Sequence, residues 1–155
     1  MNFRRTDVMV NYHTLFSQIG AENSVKKKVG MLQDNDTPNL RALLRAAYDK
    51  RISWSIPDSK PPYEENETED WEDVPMKLHD EIMKMGRFAL FDGNPTDQSR
   101  NLTRMQRETQ FIGVLQGLHK TEADILISIL KRKINYKGVT PRLASSAFPE
   151  LLPDE

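Results

Sequence analysis

Apolar residues recur at three- and four-residue spacing along almost the whole chain of 155 residues. Stripes of that period lie on one face of a helix and are buried only when helix packs on helix. Helix signals punctuate the pattern. Thr37-Pro38 and Thr140-Pro141 each join a capping hydroxyl to the residue whose fixed φ and missing N–H suit the first helical position. The spacing predicts a first helix from Tyr12 to Ile19, closed by Gly20, and a second capped by Ser24 and running to about Gln33. A third follows Thr37 with Leu40, Leu43, Leu44 and Ala47 inward. Residues 52 to 63 hold three prolines and read as extended or looped. A fourth helix is predicted from about Pro75 to Leu90 and a fifth from about Asp97 to Leu118, with Leu102, Met105, Ile112 and Leu115 on its inner face. Thr121-x-x-Asp124 resembles a capping box for a sixth helix striped by Ile125, Leu126, Ile129 and Leu130. The last runs from Pro141 to about Phe148. No repeat and no convincing strand is visible. The expectation is an all-α fold: one compact domain over residues 1–155, a bundle of about six or seven helices with an acidic flexible insert at about 58–73.

The composition, 37% apolar and 29% charged, supports one core of ordinary size. With no cysteine in the chain, disulfides, thiol nucleophiles, thiolate zinc sites and iron–sulfur clusters are excluded. No apolar run reaches the roughly 20 residues of a membrane span, and Met1 to Arg5 lacks the apolar stretch of a secretory signal. A cytoplasmic protein is expected, with no membrane partner.

The formal net charge of −1 conceals segregation. Residues 1–51 carry nine basic and five acidic side chains, residues 52–99 four and twelve, and residues 100–142 nine and three. Seven acids fall between Glu64 and Asp73. Two basic blocks thus flank an acidic insert, and basic blocks are what polyanions bind. A solvated surface with an acidic loop is the simpler explanation of the same pattern.

Catalytic patterns are missing from the sequence. His13, His79 and His119 have no metal-binding spacing, and His79-Asp80-Glu81 lacks the second histidine of a zinc-protease helix. The acidic run lacks the alternating ligands and central glycine of a calcium loop. There is no glycine-rich phosphate loop of Walker type and no nucleophile elbow. Phe91-Asp92-Gly93 invites comparison with a nucleotidyltransferase motif, but Leu90 occupies the place of its lysine nucleophile. No metal, no cofactor and no catalytic residue is expected.

The informative stretch runs from Leu130 to Arg142. A basic helix end (Lys131, Arg132, Lys133) feeds a turn at Lys137-Gly138, which feeds the helix start at Thr140. A helix start offers backbone N–H groups to an anion, Gly138 removes steric bulk, and Thr140 adds a hydroxyl. Lys131, Lys133, Lys137 and Arg142 bring charge. The competing explanation is an ordinary capped corner between two helices, with surface lysines.

The order of residues from Leu126 to Pro153, with Lys131-Arg132-Lys133-Ile134, then Lys137-Gly138-Val139-Thr140, then Leu143-Ala144 and Phe148-Pro149, resembles the close of the N-terminal DNA-binding domain of ATP-dependent DNA ligases, most of all the T-even-phage type. Ile19-Gly20, the Lys26-Lys27-Lys28 helix, Asn35-Asp36 and Leu40 to Tyr48 followed by Trp54 are similar in order to that domain's first helices. The turn before Gly138 is one residue longer than the family's, and Asn135 and Tyr136 stand where the family tends to carry a basic residue. The resemblance implies a helical module that grips the duplex backbone across the minor groove without sequence preference. It implies contacts at Lys131, Arg132, Lys133, Lys137, Gly138, Thr140 and Arg142, with a second patch at Lys26, Lys27 and Lys28. The function expected from it is a non-catalytic, sequence-independent duplex-DNA-binding module, accessory to phage DNA ligation, replication or repair in an infected host cell. Its protein partner would be a separate DNA ligase or replication protein. The alternative is a protein-interaction adaptor that uses the acidic insert and has lost DNA binding.

Overall fold

The computed structural model describes residues 11–56, 63 and 77–153. The acidic run from Glu64 to Asp73 and the expected helix start at Pro75 lie outside the described residues. Seven α-helices are present among those described: α1 (Tyr12–Ala21), α2 (Val25–Asp34), α3 (Pro38–Tyr48), α4 (Lys77–Glu81), α5 (Arg104–Gly117), α6 (Lys120–Leu130) and α7 (Pro141–Ala147). A 3₁₀ helix, Ile82–Phe88, continues α4. Three short strands, β1 (Ile52–Trp54), β2 (Ala89–Phe91) and β3 (Asn94–Pro95), form an antiparallel sheet in that order.

The helix starts follow the capping residues. Ser24 accepts from the Lys27 N–H, Thr37 from Leu40 and Thr140 from Leu143, with proline at the first turn of α3 and α7. Thr103 and Gln106 close a reciprocal capping box on α5. One expected cap differs. The box at Thr121 is replaced by the His119 ring, whose Nδ1 accepts from the Thr121 N–H at 3.1 Å.

The middle of the chain corrects the sequence reading most. The predicted fourth helix does not reach Leu90: it tightens to 3₁₀ geometry at Ile82 and becomes a strand at Ala89. The Gly86 carbonyl accepts from the Thr96 hydroxyl at 2.6 Å, and a Cβ at Gly86 would fall 2.1 Å from Gln98 Oε1. The loop after the strands is thereby folded onto the tightened helix. Asp92 and Gly93 both have positive φ, 51° and 83°, the requirement of a two-residue hairpin turn. The turn puts Phe91 opposite Asn94, and β1 completes the sheet with Ser53 opposite Leu90. The predicted fifth helix starts seven residues late, at Arg104. Met105 is accordingly 76% exposed, and the inner face is Phe111, Val114 and Leu115.

Helix α6 is the centre of the molecule. Every residue from Ile125 to Leu130 is buried, and α1, α3, α4 and α5 all pack against it. Phe16, Leu40, Leu43, Leu44, Phe88, Phe111 and Leu115 complete the core. The α6 C-terminus closes by two bonds, from Arg132 N–H to Ile129 O at 2.9 Å and from Lys133 N–H to Ser128 O at 3.2 Å. These are the bonds of a Schellman cap, whose left-handed position is usually glycine. Here Arg132 takes it, at φ 65°.

The Arg132 side chain explains the choice. Its guanidinium donates to the backbone carbonyls of Ile52 and Asp49, tying the end of α6 to the start of β1. Burial lowers its pKa, and the Asp49 carboxylate opposes that shift. Arg132 therefore acts as a structural clasp, a role its place in the basic run did not announce.

Arg132→Ala keeps the left-handed strain and loses both carbonyl bonds, so it should lower stability by about 2–4 kcal/mol. Arg132→Gly loses the bonds but relieves the strain, and should sit about 1 kcal/mol above the alanine variant. Urea unfolding of the three proteins decides this. Parental stability for Arg132→Ala would remove the clasp from the account.

Candidate functional site

The segment between α6 and α7 is fixed from beneath. Ile134 and Val139 are buried. The Tyr48 hydroxyl donates to the Val139 carbonyl at 2.8 Å. Tyr136 packs on Phe16, with ring centroids 5.6 Å apart, and its hydroxyl meets His13 Nδ1 at 2.8 Å. Burial raises both phenols to about 12, so they are neutral hydrogen-bonding anchors at any physiological pH. Tyr136 is thus an anchor for the turn.

At the turn, Gly138 has φ 81°. A Cβ there would be strained, and it would also fall 2.8 Å from Nζ of Lys28 and 3.7 Å from the Ile19 carbonyl. The α1 end is equally close: a Cβ on Gly20 would lie 3.1 Å from the Lys137 carbonyl. The Lys28 ammonium, the end of a flexible side chain, lies against Gly138, and the positive φ is what calls for a glycine there. Lys28, Gly138, Thr140 and Arg142 line one cleft of about 290 Å³, with Val25 and Ser146 at its sides. Helix α2 packs directly on α7, and Gln33 Nε2 donates to the Ala147 carbonyl at 3.1 Å, which holds the two walls together.

Of the cations singled out in the sequence, Lys28 and Arg142 share this cleft. Lys137 precedes it and is exposed. Lys26 and Lys27 are exposed on α2, and Lys131 and Lys133 are exposed at the end of α6; none of the four lines the cleft. Glu22 moderates the local charge. Its carboxyl is held below the ordinary range first by the Ser24 N–H, against the opposing effect of desolvation, with Lys27 and Lys28 adding to the depression.

The helix start itself offers less than its sequence suggests. Helix α7 has seven residues. Pro141 has no N–H, and the Leu143 N–H is already bonded to Thr140 Oγ1 at 3.1 Å. The first turn therefore leaves the Arg142 N–H and the Thr140 hydroxyl proton. Charge from Lys28 and Arg142, more than a helix dipole, is what this cleft can present to an anion.

A carboxyl elsewhere carries a large shift, and no sequence pattern flagged it. Burial raises Glu122 to about 7, against opposing bonds from the Leu78 and Lys77 backbone. It accepts from the Leu78 N–H at 3.2 Å, and Oε2 has no partner among the described residues. The Tyr12 hydroxyl, bonded to His79 Nδ1 at 3.0 Å, is raised first by burial and then by the charges of Glu122 and Asp80. Glu122 is walled in by the core and sits at the start of α4, where it acts as a buried helix cap.

The chain matches DUF6433, a family of unknown function, over residues 15–136. The match takes in Lys26 to Lys28 and Lys131 to Lys133 and stops short of Lys137, Gly138, Thr140 and Arg142. No curated protein and no solved structure matches. Among the described residues, no helix is long and apolar enough to cross a membrane.

Because the folded-state pKa of Glu122 lies above its ordinary value of 4.5, the native protein holds this proton more tightly than the unfolded chain. Its contribution to stability is full below about pH 4.5 and is lost as pH rises through about 7. Glu122→Gln keeps an acceptor for Leu78 and removes the charge. The variant should melt higher than the parent at pH 8 and match it near pH 4.5. Equal melting temperatures at pH 8 would contradict the buried-carboxyl assignment.

Proposed function

The chain belongs to DUF6433, a family of unknown function, and we propose that it binds duplex DNA through backbone phosphates, without sequence preference and without catalysis. One observation carries the reading: Lys28 is folded against Gly138 beside Arg142. Two cations from opposite ends of the chain repel one another; Glu22 offsets part of the charge beside Lys28, and an added anion would offset more. Gly138 lines the same cleft as both. A structural corner needs a glycine for its positive φ, but it does not need a lysine seated on it.

The ligand is a phosphodiester backbone by its chemistry. The cleft offers two cations, a hydroxyl and one N–H, all groups that bind phosphate, and contacts made to phosphate carry no sequence information. Lys26, Lys27, Lys131, Lys133 and Lys137 are also exposed, and a polymer with many phosphates engages many cations. The ligase-like order of residues supports the same ligand. Leu90, paired in the sheet with Pro95, stands where an adenylated lysine would be, which supports an accessory role beside a separate ligase or replication enzyme.

Lys28→Glu, Lys137→Glu and Thr140→Ala should each weaken binding to unrelated duplexes by equal factors. Each lysine change should also flatten the slope of log K against log salt by about one unit. Thr140→Ala also removes a cap worth about 1 kcal/mol, so affinity is read at a temperature where circular dichroism shows the variant folded. Normal duplex binding by all three folded variants would leave the turn a structural corner and favour the adaptor reading.

A further inference from the structure

Helix α7 has a second flank. On the side away from Lys28, a cleft of about 800 Å³ opens between the end of α3 and the residues after α7. Lys50, Arg51 and Arg142 give it three cations, and Tyr48, Leu152 and Pro153 give it apolar walls. Arg142 lines both clefts. Arg51 is held in place: Nε and Nη2 bond the Asp49 carboxylate at 3.1 and 2.8 Å, and its guanidinium lies 5.2 Å from the centre of the Phe91 ring. That carboxylate is 1% exposed; it anchors Arg51 from below and, with Asp92, offsets part of its charge.

The two clefts differ in what they can satisfy. A duplex backbone shows phosphate and sugar and hides the faces of its bases, so it has no flat apolar surface to set against Tyr48, Leu152 and Pro153. An unpaired nucleotide has both parts: a base face that stacks on apolar side chains and a phosphate that pairs with cations. The volume lies within the roughly 300–1,000 Å³ of small-ligand sites and is far larger than a bare phosphate needs. We propose that this second cleft receives one unpaired nucleotide of a DNA strand, its base against Tyr48, Leu152 and Pro153 and its phosphate among Lys50, Arg51 and Arg142. With Arg142 shared between the clefts, the strand passes over α7 from paired to unpaired, and the preferred ligand is a junction of duplex with single strand. The inference rests on the DNA-binding reading for the identity of the polymer.

Fluorescence anisotropy with the full chain tests it on three labelled probes at one salt concentration. These are a blunt duplex, the same duplex with a four-nucleotide overhang, and that overhang made abasic. The base-bearing overhang should bind about tenfold tighter than the blunt end, the scale of one stacked base, and the abasic overhang should lose most of that gain. Ser145→Trp, at an exposed position lining the cleft, should fill it and abolish the preference while blunt-duplex affinity stays unchanged. Lys50→Ala should reduce the preference without a bulky side chain. Equal binding of all three probes, or an abasic overhang as good as the intact one, overturns the inference and leaves the duplex reading standing. Binding of the intact overhang with no blunt-duplex binding supports the inference and overturns the duplex reading. Failure of every probe overturns both.

Discussion

Enclosing α6 imposes most of the order in this molecule. A helix apolar on nearly all sides must be surrounded, and α1, α3, α4 and α5 do so. Its C-terminal turn then emerges at the surface in a fixed direction. The Schellman closure and the inward Arg132 guanidinium set the exit of the chain, and the buried Ile134 and Val139 set the path of the turn. Gly138 is thereby delivered to Lys28, which α2 holds through its packing on α7. The charge cluster is a product of the core, because none of its members chooses its neighbour locally.

Where local chemistry decides the structure, the sequence is readable. Ser24, Thr37 and Thr140 cap the helices they precede, and the stripes of α3 and α6 point inward as their spacing requires. The failures share a cause. Residues 82–90 have enough apolar spacing to read as helix, yet the Asp92-Gly93 hairpin that follows and the packing of Gly86 on Gln98 pull them into 3₁₀ and strand geometry. Asp-Gly is a hairpin signal as much as a helix stop, and the partner strand that decides between them is β1, far away in the chain. Met105 follows the same logic: it fits the stripe by spacing, but the helix starts too late to bury it.

The candidate site was legible as composition and not as geometry. Basic residues at both ends of the chain are plain in the sequence, but nothing in it says which of them meet. Arg132 illustrates the limit, since its neighbours Lys131 and Lys133 are exposed while it bonds two backbone carbonyls. Lys50 and Arg51 illustrate the converse. At the end of a helix they are explained by the dipole alone, and only the fold places them beside Arg142. Glu122 carried no signal, because a single acid in an apolar stripe reads as a surface residue until the elements around it are known.

The surface around Lys28, Gly138 and Arg142 is proposed to read phosphate and not sequence. The most direct test of this is the affinity of the unmodified protein for two duplexes of unrelated sequence across a series of salt concentrations. The account predicts equal affinities and parallel lines of log K against log salt, falling with a slope of several units at about −0.9 per phosphate contact. No binding at low salt, or a flat dependence on salt, would contradict it.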